Sequence, residues 1–274
     1  MKGLRVLLFE TPHDPYFNLA LEEALFYIKS KRRDANPVLR IWRNYSAVII
    51  GYFQKAEEEV KLDLAENLGI AVVRRFTGGG AVYHDLGNIN YAIVIDQRSN
   101  DPLNELYGFL IDGILNALRK FGVEPRVENI NDIAIGFGKV SGVAASFREG
   151  TLFLHGSLLV STNLDVLTRV LKISEKKLAD KKVSSVKYRV RLLEDILGRK
   201  ITFSEIVEKI IRGYCDLLNL KPYYDMPEKL EIEAAKILYE EKYKKEEWNL
   251  GRSPSSDFKR AYALIDELII RSLK

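Results

Sequence analysis

The densest group of potentially reactive residues in this 274-residue chain surrounds three consecutive glycines, Gly78–Gly80. Glycine has no side chain and readily adopts left-handed backbone angles, so such a run lets a ligand approach the backbone closely. Successive N–H groups in a turn of this kind form a concave anion-binding site. Arg74–Arg75 precede the glycines and His84–Asp85 follow them. This combination predicts a site for a negatively charged group, and a phosphate fits it best.

A second polar group lies at Asn131–Asp132 and Lys139. Lys139 begins a predicted strand, directly after a turn that contains Gly136 and Gly138. Its ammonium group is a compact charge that can hold a phosphate or a carboxylate joined to it. Asp132 offers the carboxylate oxygen that Mg²⁺ prefers. A lone lysine at a hairpin end can also be merely solvated, so Asn131–Asp132 are what favour a site here.

The third candidate is His155, which lies between two short predicted strands. A single histidine in such a position is either a hydrogen-bonded core residue or part of a site lining. The apolar strands Val38–Ile41 and Val48–Ile50, together with Leu19, offer a channel for an aliphatic chain. Plain core packing explains these apolar residues as well.

Residues 74–88, Arg-Arg-Phe-Thr-Gly-Gly-Gly-Ala-Val-Tyr-His-Asp-Leu-Gly-Asn, resemble the signature of the lipoate-protein ligase A family. The pattern lacks the Gly-Lys-Ser/Thr of a P-loop and the Gly-x-Gly-x-x-Gly of a dinucleotide site. Lys139-x-x-Gly142 is similar to a second family segment, and His-Gly-Ser-Leu-Leu to a third, with Ser157 in place of threonine. The resemblance extends over residues 5–252.

Shorter segments elsewhere in the chain also resemble the family. They are Asn18–Glu23, Trp42–Asn44 followed by Val48–Gly51, Ser184–Val190 and Glu247–Asn249.

The resemblance implies that Lys139 is the catalytic residue. It implies that ATP and lipoyl-adenylate are bound by Arg75, Gly78, Gly79, Gly80, Ala81, Val82, Tyr83, His84, Asn88, Asn131, Asp132, Lys139, His155 and Gly156. It implies that lipoate is bound by Leu19, Arg75, Gly80, Lys139, Ala144 and His155. ATP and Mg²⁺ are the expected cofactors, with Asp132 as the metal ligand.

The family reaction would activate lipoate as lipoyl-adenylate and then transfer the lipoyl group to a protein lysine. The implied acceptors are the lipoyl domains of 2-oxoacid dehydrogenases (E2) or the H protein of glycine cleavage. Full-length members carry an accessory domain after the Glu-Trp-Asn region, whereas here few residues follow Asn249. The chain therefore resembles the archaeal split type, with catalytic residues 1–252, a helical extension at 253–274 and a separate small accessory protein as partner.

Three alternatives remain at this stage. An octanoyl or lipoyl transferase of the same fold needs a cysteine nucleophile, and the single cysteine, Cys215, falls on the apolar face of a predicted helix. Biotin ligases have a differently composed glycine-rich signature. A non-catalytic acyl- or nucleotide-binding module would not need Arg75, Lys139 and Asn131–Asp132 together.

Composition restricts the class of protein further. The net charge of +4 is spread along the chain, whereas a nucleic-acid binder usually shows a denser basic stripe. One cysteine excludes an intrachain disulfide, and three histidines make a multi-histidine metal site improbable. No apolar run is long enough to span a membrane and no signal peptide is evident. We expect a cytoplasmic enzyme that engages neither nucleic acid nor membrane.

The predicted elements that must position these residues are short strands in the first two-thirds of the chain and helices in the last third. Many strands are separated by only a few residues, which favours antiparallel pairing. Helices are predicted at 15–29, 56–67, 102–121 and 164–171, and then at 192–197, 203–218, 227–242 and 258–273. The pattern predicts an α+β fold with a mixed, mainly antiparallel sheet flanked by helices, and the resemblance implies the biotin/lipoate-protein ligase fold.

Overall fold

Two sheets organise residues 3–32, 35–172, 190–251 and 258–272, which are those that the computed structural model describes. Eight of the described strands form the larger sheet. In spatial order they are β11 (Pro222–Asp225), β1 (Leu4–Leu7), β2 (Val38–Trp42), β6 (Asn88–Asp96), β10 (Thr151–Leu159), β9 (Gly138–Arg148), β8 (Asp132–Ile135) and β7 (Pro125–Glu128). Strand β1 is parallel to both neighbours, and the other pairs are antiparallel. The predicted α+β class with a mixed, mainly antiparallel sheet is confirmed.

The smaller sheet carries the glycine-rich segment. Its central strand β3 (Ser46–Ile50) is parallel to β4 (Ala71–Arg74) and antiparallel to β5 (Val82–Asp85). Gly78–Gly80 therefore lie in the loop that joins the two outer strands. Strand β5 was not predicted, because its four residues are too few and too polar to show strand alternation.

Helices cover both faces of the larger sheet. In chain order the helical elements are α1 (Pro15–Lys31), α2 (Ala56–Glu59), α3 (Leu62–Asn67), α4 (Pro102–Asn104), a π-helical stretch (Glu105–Leu110), α5 (Asp112–Arg119), α6 (Leu164–Val170), α7 (Leu193–Leu197), α8 (Phe203–Leu218), α9 (Lys229–Leu238), a second π-helical stretch (Tyr239–Tyr243), α10 (Glu246–Leu250) and α11 (Lys259–Ser272). Helices α5 and α8 cover one face, and α1, α9 and α11 pack on the other. None of the described helices is long and apolar enough to cross a membrane.

Side-chain caps begin two of the long helices. Asp14 caps α1, because its carboxylate accepts a hydrogen bond from the N–H of Phe17 at 3.0 Å. Thr202 caps α8 by accepting from the N–H of Glu205 at 3.2 Å. The side chain of Glu205, which would complete a capping box with Thr202, pairs with Arg199 at 2.5 Å instead.

Several predicted boundaries were wrong for local reasons. The helix predicted over 56–67 is broken where Val60 turns extended and bridges to Leu171. The two strands predicted around His155 are one strand, β10, that runs through Gly156. A Cβ at that glycine would lie 2.4 Å from the Tyr91 hydroxyl of the neighbouring strand, so glycine is what keeps the pairing intact. Of the quoted family segment 184–190, residues 184–189 lie outside the described part of the chain.

Glycines set the distance between α5 and α8. A Cβ at Gly213 would lie 2.3 Å from the carbonyl oxygen of Gly113 and 2.7 Å from the backbone nitrogen of Ala117. Backbone atoms cannot move aside as a flexible side chain can, so the two helices approach more closely than any larger residue permits.

We expect Gly213→Ala to lower the free energy of unfolding by about 1–3 kcal/mol, because the added methyl group overpacks this contact. Alanine ordinarily stabilises a helix relative to glycine by about 1 kcal/mol. A loss of stability in Gly213→Ala would therefore come from the helix contact and not from helix propensity. Gly108→Ala is the matched control, since its Cβ would meet only the side chain of Asn104. Urea titration of both variants measures the difference, and a Gly213→Ala protein as stable as the native one would contradict the packing argument.

Candidate active site

A cavity of about 380 Å³ lies between the larger sheet, the smaller sheet and α1. Helix α1 contributes Leu19 and Glu22, and strand β2 contributes Trp42. Strands β9 and β10 contribute Ala144 and His155, which are directly paired across the sheet. The lining is apolar over much of its extent and carries a few polar groups, as small-molecule sites typically do.

Most of the predicted site residues line this cavity. They are Leu19, Arg75, Gly79, Gly80, Ala81, Val82, His84, Asn131, Asp132, Lys139, Ala144, His155 and Gly156. The three candidate groups, which are far apart in sequence, therefore meet at one cavity.

Gly78, Tyr83 and Asn88 do not line the cavity. Neighbouring residues of a strand point to opposite faces, so Tyr83 is turned away from the side that carries Val82 and His84. It packs instead into the cluster on the far side of the smaller sheet. Asn88 is fully buried, and its amide donates to the side-chain oxygen of Asn90 at 2.9 Å.

The glycine-rich loop is held by close backbone contacts. Gly79 has φ +94°, a left-handed conformation that disfavours other residues. A Cβ at Gly51, which follows β3, would lie 2.1 Å from the carbonyl oxygen of Gly79. Gly51 was noted only as part of a family segment, and this contact gives its physical reason.

Arg75 ties the same loop to itself. Its guanidinium donates to the carbonyl oxygens of Gly78 and Gly80 at 2.6 and 2.9 Å, and to the hydroxyl of Thr77 at 3.1 Å. Burial lowers the pKa of Arg75 to about 10, so the group stays cationic at neutral pH. Arg75 therefore places a positive charge on the cavity wall, and its guanidinium is already hydrogen-bonded to carbonyl oxygens of the loop.

Arg74 has a different position from that expected of a second anion-binding arginine. It is fully buried and does not line the cavity. Its guanidinium donates to the carbonyl oxygens of Gly51 and Tyr52, each at 3.0 Å, and of Trp248 and Gly251, at 2.7 and 3.0 Å. Arg74 holds together the backbone that surrounds the loop.

Lys139 and Asp132 form an ion pair on the cavity wall, with Nζ and Oδ1 2.5 Å apart. The two side chains are 34% and 14% exposed, so they lie at the accessible part of the cavity. A Cβ at Gly142 would lie 2.8 Å from Lys139 Nζ. The glycine of the Lys-x-x-Gly segment therefore leaves room for the ammonium group. Asn131 adjoins them and donates to the carbonyl oxygen of Val143 at 3.2 Å.

The carboxylates at the cavity decide whether a magnesium ion fits. No cluster of three or more His, Cys, Asp or Glu side chains suited to a metal occurs among the described residues. Glu22 is engaged by neighbouring side chains, whereas the carboxylate of Asp132 pairs with the partly exposed Lys139. Mg²⁺ often takes one or two carboxylates and completes its shell with phosphate and water, so Asp132 fits such an ion.

Sequence reasoning missed a buried network centred on Glu22. Its carboxylate accepts from the indole N–H of Trp42 and from His155 Nδ1, both at 2.9 Å. The other nitrogen of His155 lies 2.7 Å from the hydroxyl of Thr77. The network connects α1 to the glycine-rich loop. One available signal was the spacing of Leu19 and Glu22, which places both on one face of a helix that already resembled the family.

Cys215 lies away from the cavity. It belongs to α8, where it is half-buried and packs against the cluster on the opposite face of the larger sheet. Burial raises the pKa of the Cys215 thiol, which disfavours the thiolate that a nucleophile requires. The geometry therefore offers no support for an acyl-thioester route.

Comparison with known proteins identifies relatives across nearly the whole chain. Residues 14–215 match the model of the lipoyl protein ligase A/B catalytic domain. A bipartite archaeal lipoate-protein ligase from Thermoplasma acidophilum, described together with its E2 lipoyl domain, is 37% identical, with a TM-score of 0.84 over 93% of this chain and 99% of that one.

Two further solved structures have ligands. A putative lipoate-protein ligase from T. acidophilum with bound lipoic acid is 35% identical, with a TM-score of 0.80 over 92% of this chain and 100% of that chain. Lipoate-protein ligase A bound with ATP is 35% identical, with a TM-score of 0.79 over the same shares. Matches of this length and identity, on a fold that agrees throughout, show that the chain belongs to the lipoyl protein ligase A/B catalytic domain family.

Proposed function

We propose that this protein is a lipoate-protein ligase, which uses ATP to form lipoyl-adenylate and transfers the lipoyl group to a lysine of a lipoyl domain. The observation that carries the proposal is the continuity of one cavity from an apolar, buried interior to the Lys139–Asp132 pair, with the glycine-rich loop beside it. Relatives that are named lipoate-protein ligases, one of them bound with ATP and one with lipoic acid, support it.

The apolar interior suits an aliphatic acid. Leu19, Ile49, Val82 and Ala144 supply apolar lining, so an acyl chain would lose contact with water there. Its carboxylate would then extend to the accessible part of the cavity, where Lys139 stands. This orientation places the reacting carboxylate at the part of the lining that carries Asn131 and Asp132 as well as Lys139.

The first chemical step joins the acid to the nucleotide. A carboxylate oxygen attacks the α-phosphorus of ATP, and the bond to the bridging oxygen breaks, so pyrophosphate leaves with its electron pair. Lys139 would stabilise the charge shared by the acyl carboxylate and the α-phosphate, and Arg75 with the loop N–H groups would stabilise the phosphates. Mg²⁺, held by Asp132, would neutralise phosphate charge when bound.

The second step transfers the acyl group. The neutral amine of a protein lysine attacks the acyl carbon, an amide forms, and AMP leaves as the proton is lost from nitrogen. Neither step needs a covalent acyl-enzyme, so catalysis rests on positioning and on fixed charges. The position of Cys215, outside the cavity, agrees with this route and not with a thiol-dependent transferase.

We assign the catalytic domain to residues 1–252 and treat 253–274 as a helical extension. The bipartite relative supports a second, small accessory chain as partner, and its E2 lipoyl domain supports lipoyl domains of 2-oxoacid dehydrogenases as acceptors. The H protein of glycine cleavage is the other acceptor of the same chemistry. A cytoplasmic location completes the proposal.

Replacing Lys139 with alanine tests the catalytic assignment. We expect lipoate-dependent modification of an apo lipoyl domain to fall by about a hundredfold or more, because a preorganised charge at the reacting group is lost. Lys120→Ala is a closely matched control, since Lys120 forms an ion pair of the same 2.5 Å length with Asp216, outside the cavity. Mass spectrometry of the acceptor measures both, and equal losses in the two variants would reject the role of Lys139.

The requirement for an accessory chain is tested separately. We expect the chain alone, with Mg²⁺ and lipoate, to exchange labelled pyrophosphate into ATP only slowly. The same sample should modify an apo lipoyl domain readily when preformed lipoyl-adenylate is supplied. Rapid exchange by the chain alone would show that no partner is needed for adenylation, whereas failure with the preformed adenylate would reject the ligase itself.

A further inference from the structure

His84 has two ring nitrogens in very different surroundings. Its Nδ1 lies 3.2 Å from the side-chain nitrogen of Asn44. Its Nε2 is buried and has no hydrogen-bond partner among the described residues. The residue is only 4% exposed and lines the cavity. A buried polar atom without a partner is costly, so its presence at a cavity indicates a ligand atom that satisfies it.

A chain of hydrogen bonds fixes which nitrogen of His84 carries the proton. The chain begins at Arg40, whose guanidinium can only donate, and whose Nη2 lies 2.7 Å from the side-chain oxygen of Asn18. That oxygen is therefore the acceptor, and the Asn18 amide nitrogen donates to the side-chain oxygen of Asn44 at 3.0 Å. The Asn44 amide nitrogen is then the donor to His84 Nδ1.

The ring of His84 is also neutral. Burial, the positive charge of Arg75 and the neighbouring His155 together lower its pKa to about 3, and burial contributes most. A neutral imidazole has one donor nitrogen and one acceptor nitrogen. Since Nδ1 accepts, Nε2 carries the hydrogen.

We propose that Arg40, Asn18 and Asn44 act as a positioning relay that locks His84 as an Nε2–H donor, and that this donor selects acyl substrates with lone pairs at the buried end of the chain. The proposal rests on the proposed ligase function and adds the basis of its substrate choice. Lipoate carries two ring sulfurs at that end, whereas octanoate carries only hydrocarbon.

Burial indicates that this donor meets the tail of the acid and not its carboxylate. His84 packs edge-on against Trp42, with ring centroids 6.1 Å apart, and Trp42 is 1% exposed. The reacting carboxylate must meet ATP and a lysine of another protein, so it belongs at the accessible end with Lys139 and Asp132. The tail is then left with the enclosed part of the cavity.

Asn90 adds a second donor beside the first. It is the strand partner of Trp42, lines the cavity and is 3% exposed. Its side-chain oxygen accepts from Asn88, while its amide nitrogen has no partner among the described residues. A hydrocarbon tail would leave both donors unsatisfied, and sulfur is a weak acceptor, so we expect a preference of about tenfold for lipoate over octanoate.

Nuclear magnetic resonance of ¹⁵N-histidine-labelled protein tests the relay without requiring catalysis. The chain has three histidines, so each can be assigned by substitution. We expect His84 to show the Nε2–H tautomer and no titration between pH 5 and pH 8. An Nδ1–H tautomer, or protonation in that range, would overturn the relay. Because this measurement does not involve ligation, its outcome is independent of whether the proposed function is correct.

Substrate competition tests the selective role. His84→Leu should lower the ratio of kcat/KM for lipoate to that for octanoate by about tenfold, whereas His84→Gln, whose amide can donate from a similar position, should retain most of it. Asn44→Leu should lower the ratio as well, because the tautomer is no longer fixed. If His84 had a purely structural role, every variant would lower kcat/KM for lipoate and for octanoate by the same factor, and that result would reject the proposal.

Thr151→Val is the matched control for these variants. The Thr151 hydroxyl is also buried without a partner among the described residues, but it does not line the cavity. We expect the control to leave the substrate ratio unchanged. If none of the proteins ligates either acid, titration of the labelled protein with lipoate and with octanoate decides instead. A shift of the His84 Nε2 resonance with lipoate alone supports the proposal, and equal shifts reject it.

Discussion

The guanidinium of Arg74 is the interaction on which the position of the glycine-rich loop depends. It is buried and forms no ion pair with a carboxylate of the described residues, and its hydrogens are shared among carbonyl oxygens from the segment after β3 and from the end of α10. Burial lowers its pKa, which measures the cost of keeping the charge there. Carbonyl groups of these two chain segments offset that cost together, and Trp248 returns a hydrogen bond to the Arg74 carbonyl at 2.8 Å. Helix α10 thereby reaches the backbone from which the glycine-rich loop begins.

The residue types within short segments made much of the site predictable from sequence. The residues that contact those segments in the folded protein were not predictable in this way. Gly79, Gly80, Lys139 and Asp132 stand in short segments whose residue types suit phosphate and carboxylate, and the structure brings these four residues to one cavity. Arg74 and Arg75 could not be told apart from sequence, because which of them faces the cavity depends on pairing between β3 and β4. Glu22 was missed since a carboxylate on a helix is ordinarily solvated, and only packing shows it buried between Trp42 and His155. Strand β11 was missed because its residues are exposed and its pairing partner is far away in sequence.

The cavity combines apolar lining with an unusual amount of fixed polar structure. Glu22 orients His155 on one side, and the relay from Arg40 orients His84 on the other. Buried hydrogen-bond networks are rigid when fully satisfied, since each member constrains the next. Two histidines are thus held by neighbours of opposite character, a carboxylate that accepts and an amide that donates. A site built in this way presents a defined set of donors to its ligand before the ligand arrives, which reduces the reorganisation required on binding.

The pairing of β1 with β11 has a consequence for how the protein is made. Arg5 of β1 is 5% exposed, and its carboxylate partners are Asp225 at 2.7 Å and Glu231 at 2.6 Å, the former 220 positions later in the chain. During synthesis the first strand therefore leaves the ribosome long before the groups that neutralise its buried cation exist. Contacts of such sequence separation form late, and a buried charge without its partner opposes compaction. This edge of the sheet can close only after Asp225 and Glu231 have been translated, so the buried cation of β1 lacks its partners until then.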